Sequence, residues 1–181
     1  MEEISQVPST NLIRWGGLAA IIAGILRGLN SLVASSTPTV AIAFLYLLTD
    51  MFILFGMMGL YGFQYRESRL WGCFGFLLAI AGIGIIRYGA IFGVNLYSVG
   101  ALMFAGGLIL FAVGSWIANK LPQWVPAFWI LSTIVGICGY FVPGLNLFFV
   151  ISGVIFGIGF SGAGIKVWSA KSEQLQREIS T

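Results

Sequence analysis

Residues 40–63 read VAIAFLYLLTDMFILFGMMGLYGF, an apolar run broken by one charge, Asp50, and by no proline. A helix rises about 1.5 Å per residue and the hydrocarbon core of a bilayer is about 30 Å thick, so roughly 20 such residues suffice to cross it. The strands of an outer-membrane barrel are about ten residues long and alternate in polarity. This run does neither, and it reads as a helix. Five further stretches repeat the pattern: Leu12 to Ala34, Leu70 to Val94, Tyr97 to Asn119, Trp124 to Val142 and Leu145 to Trp168. Turn-forming residues separate them, at Ser35-Ser36-Thr37-Pro38, Arg66-Glu67-Ser68-Arg69, Gly93-Val94-Asn95, Lys120-Leu121-Pro122 and Pro143-Gly144. The expected fold is all-α: a polytopic helical bundle of six transmembrane helices, forming one integral membrane domain over residues 1–181. The tail from Ser169 to Thr181 is expected to extend the last helix into the cytoplasm.

Composition supports this reading and excludes others. Of 181 residues, 59% are apolar and only 8% charged, and the mean hydropathy is +0.98, whereas a soluble domain keeps about a quarter of its residues charged. A disordered chain is excluded by the same hydropathy. Nine dispersed basic residues are too few to track a phosphate backbone, so no nucleic-acid partner is expected. The expected partner is the lipid bilayer, together with a small solute or a second membrane protein. Composition leaves the oligomeric state open.

Orientation follows from lysine and arginine. Arg14, Arg66, Arg69, Lys120, Lys166, Lys171 and Arg177 fall on the side of the two termini, and the three opposite loops carry none. Trp15, Trp71, Trp116, Trp124 and Trp168 map to that same edge, where amphipathic rings prefer to sit, with Trp129 deeper. Both termini are therefore expected in the cytoplasm, in a bacterial-type plasma membrane. Val33-Ala34-Ser35 has the small-residue look of a processing site, but Glu2 and Glu3 spoil a basic n-region and Arg27 and Asn30 interrupt the apolar stretch. The first span is accordingly expected to stay.

The odd-numbered spans echo one another through Ile22-Ala23-Gly24-Ile25, Ile80-Ala81-Gly82-Ile83 and Ile134-Val135-Gly136-Ile137, each following a tryptophan. Gly28-Leu29-Asn30, Gly93-Val94-Asn95 and Gly144-Leu145-Asn146 follow near the outer ends. Three parallel helical hairpins would produce this pattern, and so would glycine-rich apolar composition alone. The 25 glycines need a reason, because each costs an isolated helix about 1 kcal/mol. Close helix approach within the bundle is the favoured one, at Gly24 with Gly28, Gly89 with Gly93, and Gly153 with Gly157; dimerisation is the alternative. The GxGxxG match at residues 157–162 follows no strand and lies inside a span, so it is not read as a dinucleotide site.

Three ionisable residues lie inside spans: Arg27, Asp50 and Arg87. Each costs roughly 2.5 to 3.5 kcal/mol near the bilayer centre, so each needs a partner, water or a task. Counting along the helices puts Asp50 near the midplane and both arginines at one level in the outer half. An arginine can snorkel its head outward, but the short aspartate cannot. Three readings fit: a structural ion pair or triad joining the first three helices, a site for an anionic or carbonyl-bearing ligand, or snorkelling arginines beside a protonated aspartate. Asn30 shares Arg27's helical face and Tyr46 shares Asp50's, so the candidate cluster is Arg27, Asp50, Arg87, Asn30 and Tyr46.

Other chemistry is thin. There is no histidine, and Cys73 and Cys138 lie about 15 Å apart in depth, so neither a disulfide nor a metal or haem centre is expected. No serine has a visible base and no carboxylates pair, so no catalytic residue is assigned and an enzyme is disfavoured. The leading expectation is a protein that binds or transports a small polar or anionic solute or ion through the Arg/Asp cluster. The alternative is a non-catalytic accessory or assembly subunit of a larger membrane complex.

Overall fold

The computed structural model describes residues 10–33, 39–142 and 146–180. They form six helices: α1 (Thr10–Val33), α2 (Val40–Gln64), α3 (Arg69–Phe92), α4 (Tyr97–Ala118), α5 (Trp124–Phe141) and α6 (Asn146–Ser180). All six are long and apolar enough to cross a membrane, and no strand occurs among the described residues. The turns expected at 35–38 and 143–144 fall outside the described residues.

Local chemistry sets the helix ends. Thr39 caps α2, its Oγ1 accepting from the Ile42 N–H at 3.3 Å. Gly93 adopts φ +69°, a left-handed cap that glycine enters without penalty, so α3 stops at Phe92 rather than running to Val94. Asn119, at φ +50°, ends α4 in the same way. Helix α6 continues to Ser180, well past Trp168. The Gly-x-Asn echoes therefore play unlike roles: Asn30 lies within α1, Asn95 in the α3–α4 turn, and Asn146 at the start of α6.

The helices form a ring in chain order, α6 closing against α1. Packing around that ring is uneven. The pairs α1–α2, α3–α4, α5–α6 and α1–α6 meet extensively, whereas α2 with α3 and α4 with α5 touch sparsely. Glycine explains the tight seams, because hydrophobicity cannot drive association between apolar helices in lipid and contact must come from close fit. A Cβ on Gly16 would overlap the backbone of Gly59, and one on Gly24 would strike the Gly157 carbonyl and Ser161. In the α3–α4 seam, Gly75 faces the Phe111 backbone and Gly107 faces Ala79. Gly24, Gly153 and Gly157 thus serve packing of α1 on α6, as the sequence suggests, whereas Gly89 faces the turn after α3, Gly93 is a cap, and a Cβ on Gly28 would meet nothing within 4 Å. Residues 157–162 are spent the same way, on α1 and on Trp124 and Trp129 of α5.

The half of the bundle nearest the termini is solid. Met57, Leu60, Phe111, Trp129 and Phe160 are wholly buried. Phe111 and Trp129 sit 5.6 Å apart between ring centroids, and Phe156 stacks on Phe160 at 5.0 Å. Gln64 donates through Nε2 to the Ser115 Oγ at 2.6 Å, tying α2 to α4. At the same end Lys120 pairs with Glu67 at 2.8 Å, and its hydrogen bond draws the Glu67 carboxyl below the ordinary carboxylate range. The Arg14 guanidinium lies 4.0 Å above the Trp168 ring. Trp15, Trp71, Trp116 and Trp124 are exposed around this end, while Trp129 is buried in the core. Both cysteines are free.

Candidate functional site: a polar cavity in the far half of the bundle

Away from the termini the bundle opens. A cavity of about 1130 Å³ occupies the far half, with walls from all six helices. It lies where α2 meets α3 and α4 meets α5 only sparsely. Its floor is the apolar layer of Ile53, Ile83, Phe104, Leu108 and Phe156, which rests on the aromatic core beneath. At the far end Asn95, Tyr97 and Leu147 line the cavity and are exposed, forming its mouth among the described residues.

Arg27, Asn30, Tyr46, Asp50 and Arg87 all line this one cavity. Periodicity aims them there: Gly16, Ala20, Ala23 and Asn30 form the buried face of α1, and Met57 and Gln64 continue the inward face of α2. The three charges divide. Arg87 Nε meets Asp50 Oδ2 at 2.5 Å, joining α3 to α2 across one of the sparse seams. The two side chains retain 28% and 21% of their exposure, so the pair lies at the cavity wall within reach of water rather than sealed in packing. Arg27 has no ion-pair or hydrogen-bond partner among the described residues. Among the described residues the triad considered from sequence is therefore a pair plus an unpaired guanidinium.

Asn30 is only 1% exposed and sits in the wall. Its Nδ2 donates to the Thr49 Oγ1 at 2.6 Å, and the Thr49 hydroxyl in turn donates to the Leu45 carbonyl at 2.7 Å. Because that hydroxyl has given away its proton, the Asn30 amide must present nitrogen to it, leaving Asn30 Oδ1 without a donor. The relay joins α1 to α2 and fixes the helix turn next to Arg27.

Sequence reasoning missed the second polar bridge. Ser98 Oγ and the Tyr140 hydroxyl lie 2.5 Å apart, spanning the α4–α5 seam. Each sits on an apolar helix, and the only sequence signal was proximity to a far-side turn. Among the described residues, each sparse seam is thus bridged in the far half by one polar contact. No group of three or more histidine, cysteine, aspartate or glutamate side chains suited to a metal occurs among the described residues. Comparison with protein-family models, curated proteins and solved structures finds no match to this chain.

Proposed function

We propose that this protein binds a small anionic solute in the far-half cavity and carries it across a bacterial-type plasma membrane, with both termini in the cytoplasm. One observation carries the reading: Arg27, a guanidinium with no partner among the described residues, faces a cavity of about 1130 Å³ inside an apolar bundle. A charge so placed costs several kcal/mol unless water or a ligand meets it. A structural ion pair accounts for Asp50 and Arg87 and does not involve Arg27. The mouth at Asn95 and Tyr97 and the aromatic layer below the floor fit a site open to one side and closed to the other. Movement of the solute past that layer would use the sparse seams, where little packing has to be broken.

Thermal unfolding of the purified full-length protein tests the binding step. A ligand at a hundred times its dissociation constant stabilises the folded state by about 2.7 kcal/mol. Organic anions such as benzenesulfonate are expected to raise Tm in the wild type and not in Arg27→Gln, and proteoliposomes carrying wild-type protein are expected to take up the labelled anion. Equal stabilisation of both proteins would overturn the assignment of Arg27. A stoichiometric membrane partner, with no anion bound by either protein, would favour the accessory-subunit reading instead.

A further inference from the structure

The charges and walls of the cavity narrow the class of solute, provided that the cavity is a binding site. Charged and titratable groups line it from five helices: Arg27 on α1, Tyr46 and Asp50 on α2, Arg87 on α3, Tyr97 on α4 and Tyr140 on α5, while α6 adds serine and apolar side chains. Asp50 is the one acidic residue among them and the only aspartate in the chain. It is held by Arg87 at 2.5 Å. Two cations and one anion leave a single positive charge, and Arg27 carries it. A solute entering a low-dielectric site is favoured when it cancels the charge it finds and disfavoured when it overshoots.

The walls supply the second constraint. Below the charged level, Ile53, Ile83, Phe104, Leu108 and Phe156 form a continuous apolar floor. The polar groups in that lower wall are already spent. Ser132 and Thr133 donate to the Trp129 carbonyl, and Ser152 donates to the Ser132 carbonyl. A solute reaching this depth meets hydrocarbon and no free donors.

We infer that the cavity accepts a monovalent amphipathic anion, its charged head at Arg27 and its apolar body on the floor, and that Asp50 sets the valence by neutralising Arg87. Monovalent sulfonates, carboxylates and the headgroups of singly charged lipids share this chemistry. Asp50 acts here as a specificity-determining residue: removing its charge releases Arg87 and turns a site for one negative charge into a site for two.

The test counts charges. Binding of benzenesulfonate, benzene-1,3-disulfonate and methanesulfonate to the purified full-length protein is measured by calorimetry at constant ionic strength. These probes stay ionised throughout, so the solute's own protonation does not enter. The wild type is expected to prefer benzenesulfonate over the disulfonate by about tenfold or more. It is also expected to prefer benzenesulfonate over methanesulfonate by roughly a hundredfold, the value of burying the ring. Asp50→Asn should reverse the first preference. Asp50→Asn combined with Arg87→Gln returns the cavity to one positive charge and should restore it, which keeps the test alive if the single variant fails to fold. Arg27→Gln should bind none of the three. Competition by phosphatidylglycerol in micelles, dependent on Arg27, would identify a lipid as the source of the anion, and its absence a soluble one.

The inference is overturned if the disulfonate binds the wild type as tightly as benzenesulfonate, or if methanesulfonate does. It is also overturned if the charge-restored double variant prefers the dianion. Absence of any anion binding in every variant would instead remove the binding site on which the inference rests.

Discussion

Arg27 and Arg87 stand at the same depth by sequence, yet the structure gives them different energetic roles, and unfolding measurements can separate them. Arg87 contacts Asp50 with 28% and 21% of the two side chains exposed. Exposed ion pairs contribute about 0–1 kcal/mol, and removing one partner of a fully buried pair costs about 3–5 kcal/mol. A pair at a cavity wall falls between these limits, so Arg87→Gln and Asp50→Asn should each cost about 2 kcal/mol. The double variant removes both charges and should cost less than the summed singles, with a coupling of about 1–2 kcal/mol. Arg27 has no ion pair to lose among the described residues, so with water meeting its charge in the cavity Arg27→Gln should change stability by about 0.5 kcal/mol or less while abolishing anion binding. Reversible unfolding in mixed micelles, followed by the fluorescence of the six tryptophans, provides the readout. Additive losses at Asp50 and Arg87, within about 0.5 kcal/mol, would refute the direct pair. An Arg27→Gln variant as unstable as Arg87→Gln would refute the division of labour.

Further outcomes follow from individual contacts. At Gly75 a Cβ would run into the Phe111 backbone, so Gly75→Ala should cost about 1–3 kcal/mol, whereas Gly84→Ala, with nothing within 4 Å, should be neutral or gain up to about 1 kcal/mol of helix propensity; the same micellar unfolding assay compares them. Ser115→Ala should cost more than Gln64→Leu: the first strands a buried amide nitrogen at about 1–3 kcal/mol, while the second deletes an amide whose Oε1 is already unpartnered and leaves Ser115 bonded to the Phe111 carbonyl. The lowered Glu67 carboxyl makes the Lys120 pair stabilising above the unfolded-state pKa and lost as pH falls through the folded one. Glu67→Gln should therefore lower Tm slightly near neutral pH, by an exposed pair's worth of about 0–1 kcal/mol, and the difference should shrink away as pH falls through the lowered folded-state pKa. A Tm gap that persists in acid would refute that assignment.

Most of the helical architecture could be read without coordinates. An apolar run of bilayer length has few ways to satisfy its backbone in lipid, so α2 and α4 begin where their composition says they should. Most ends moved by one or two residues, and at Gly93 and Asn119 a left-handed φ set the stop. The candidate cluster was legible for a related reason. Charges are so costly among hydrocarbon that Arg27, Asp50 and Arg87 stand out, and 3.6-residue periodicity places Asn30 and Tyr46 beside them. All five share one cavity.

Which arginine holds Asp50 was not legible, because depth is counted along a helix, whereas pairing depends on which helices are neighbours in the ring and how each is rotated. Nor was the cavity itself. It lies in a ring where four of the six seams are tight, with glycines at their contacts, while two stay sparse, and that inequality is a property of surfaces meeting in space. The Ser98–Tyr140 bridge is of the same kind, joining residues 42 apart in the chain that nothing in either local stretch connects. Length, hydropathy and charge cost act along the chain and fix spans and suspects. Pairing, cavity shape and the separation of Arg27 from the Asp50–Arg87 pair arise between helices, where close packing and electrostatics act across gaps the sequence does not measure.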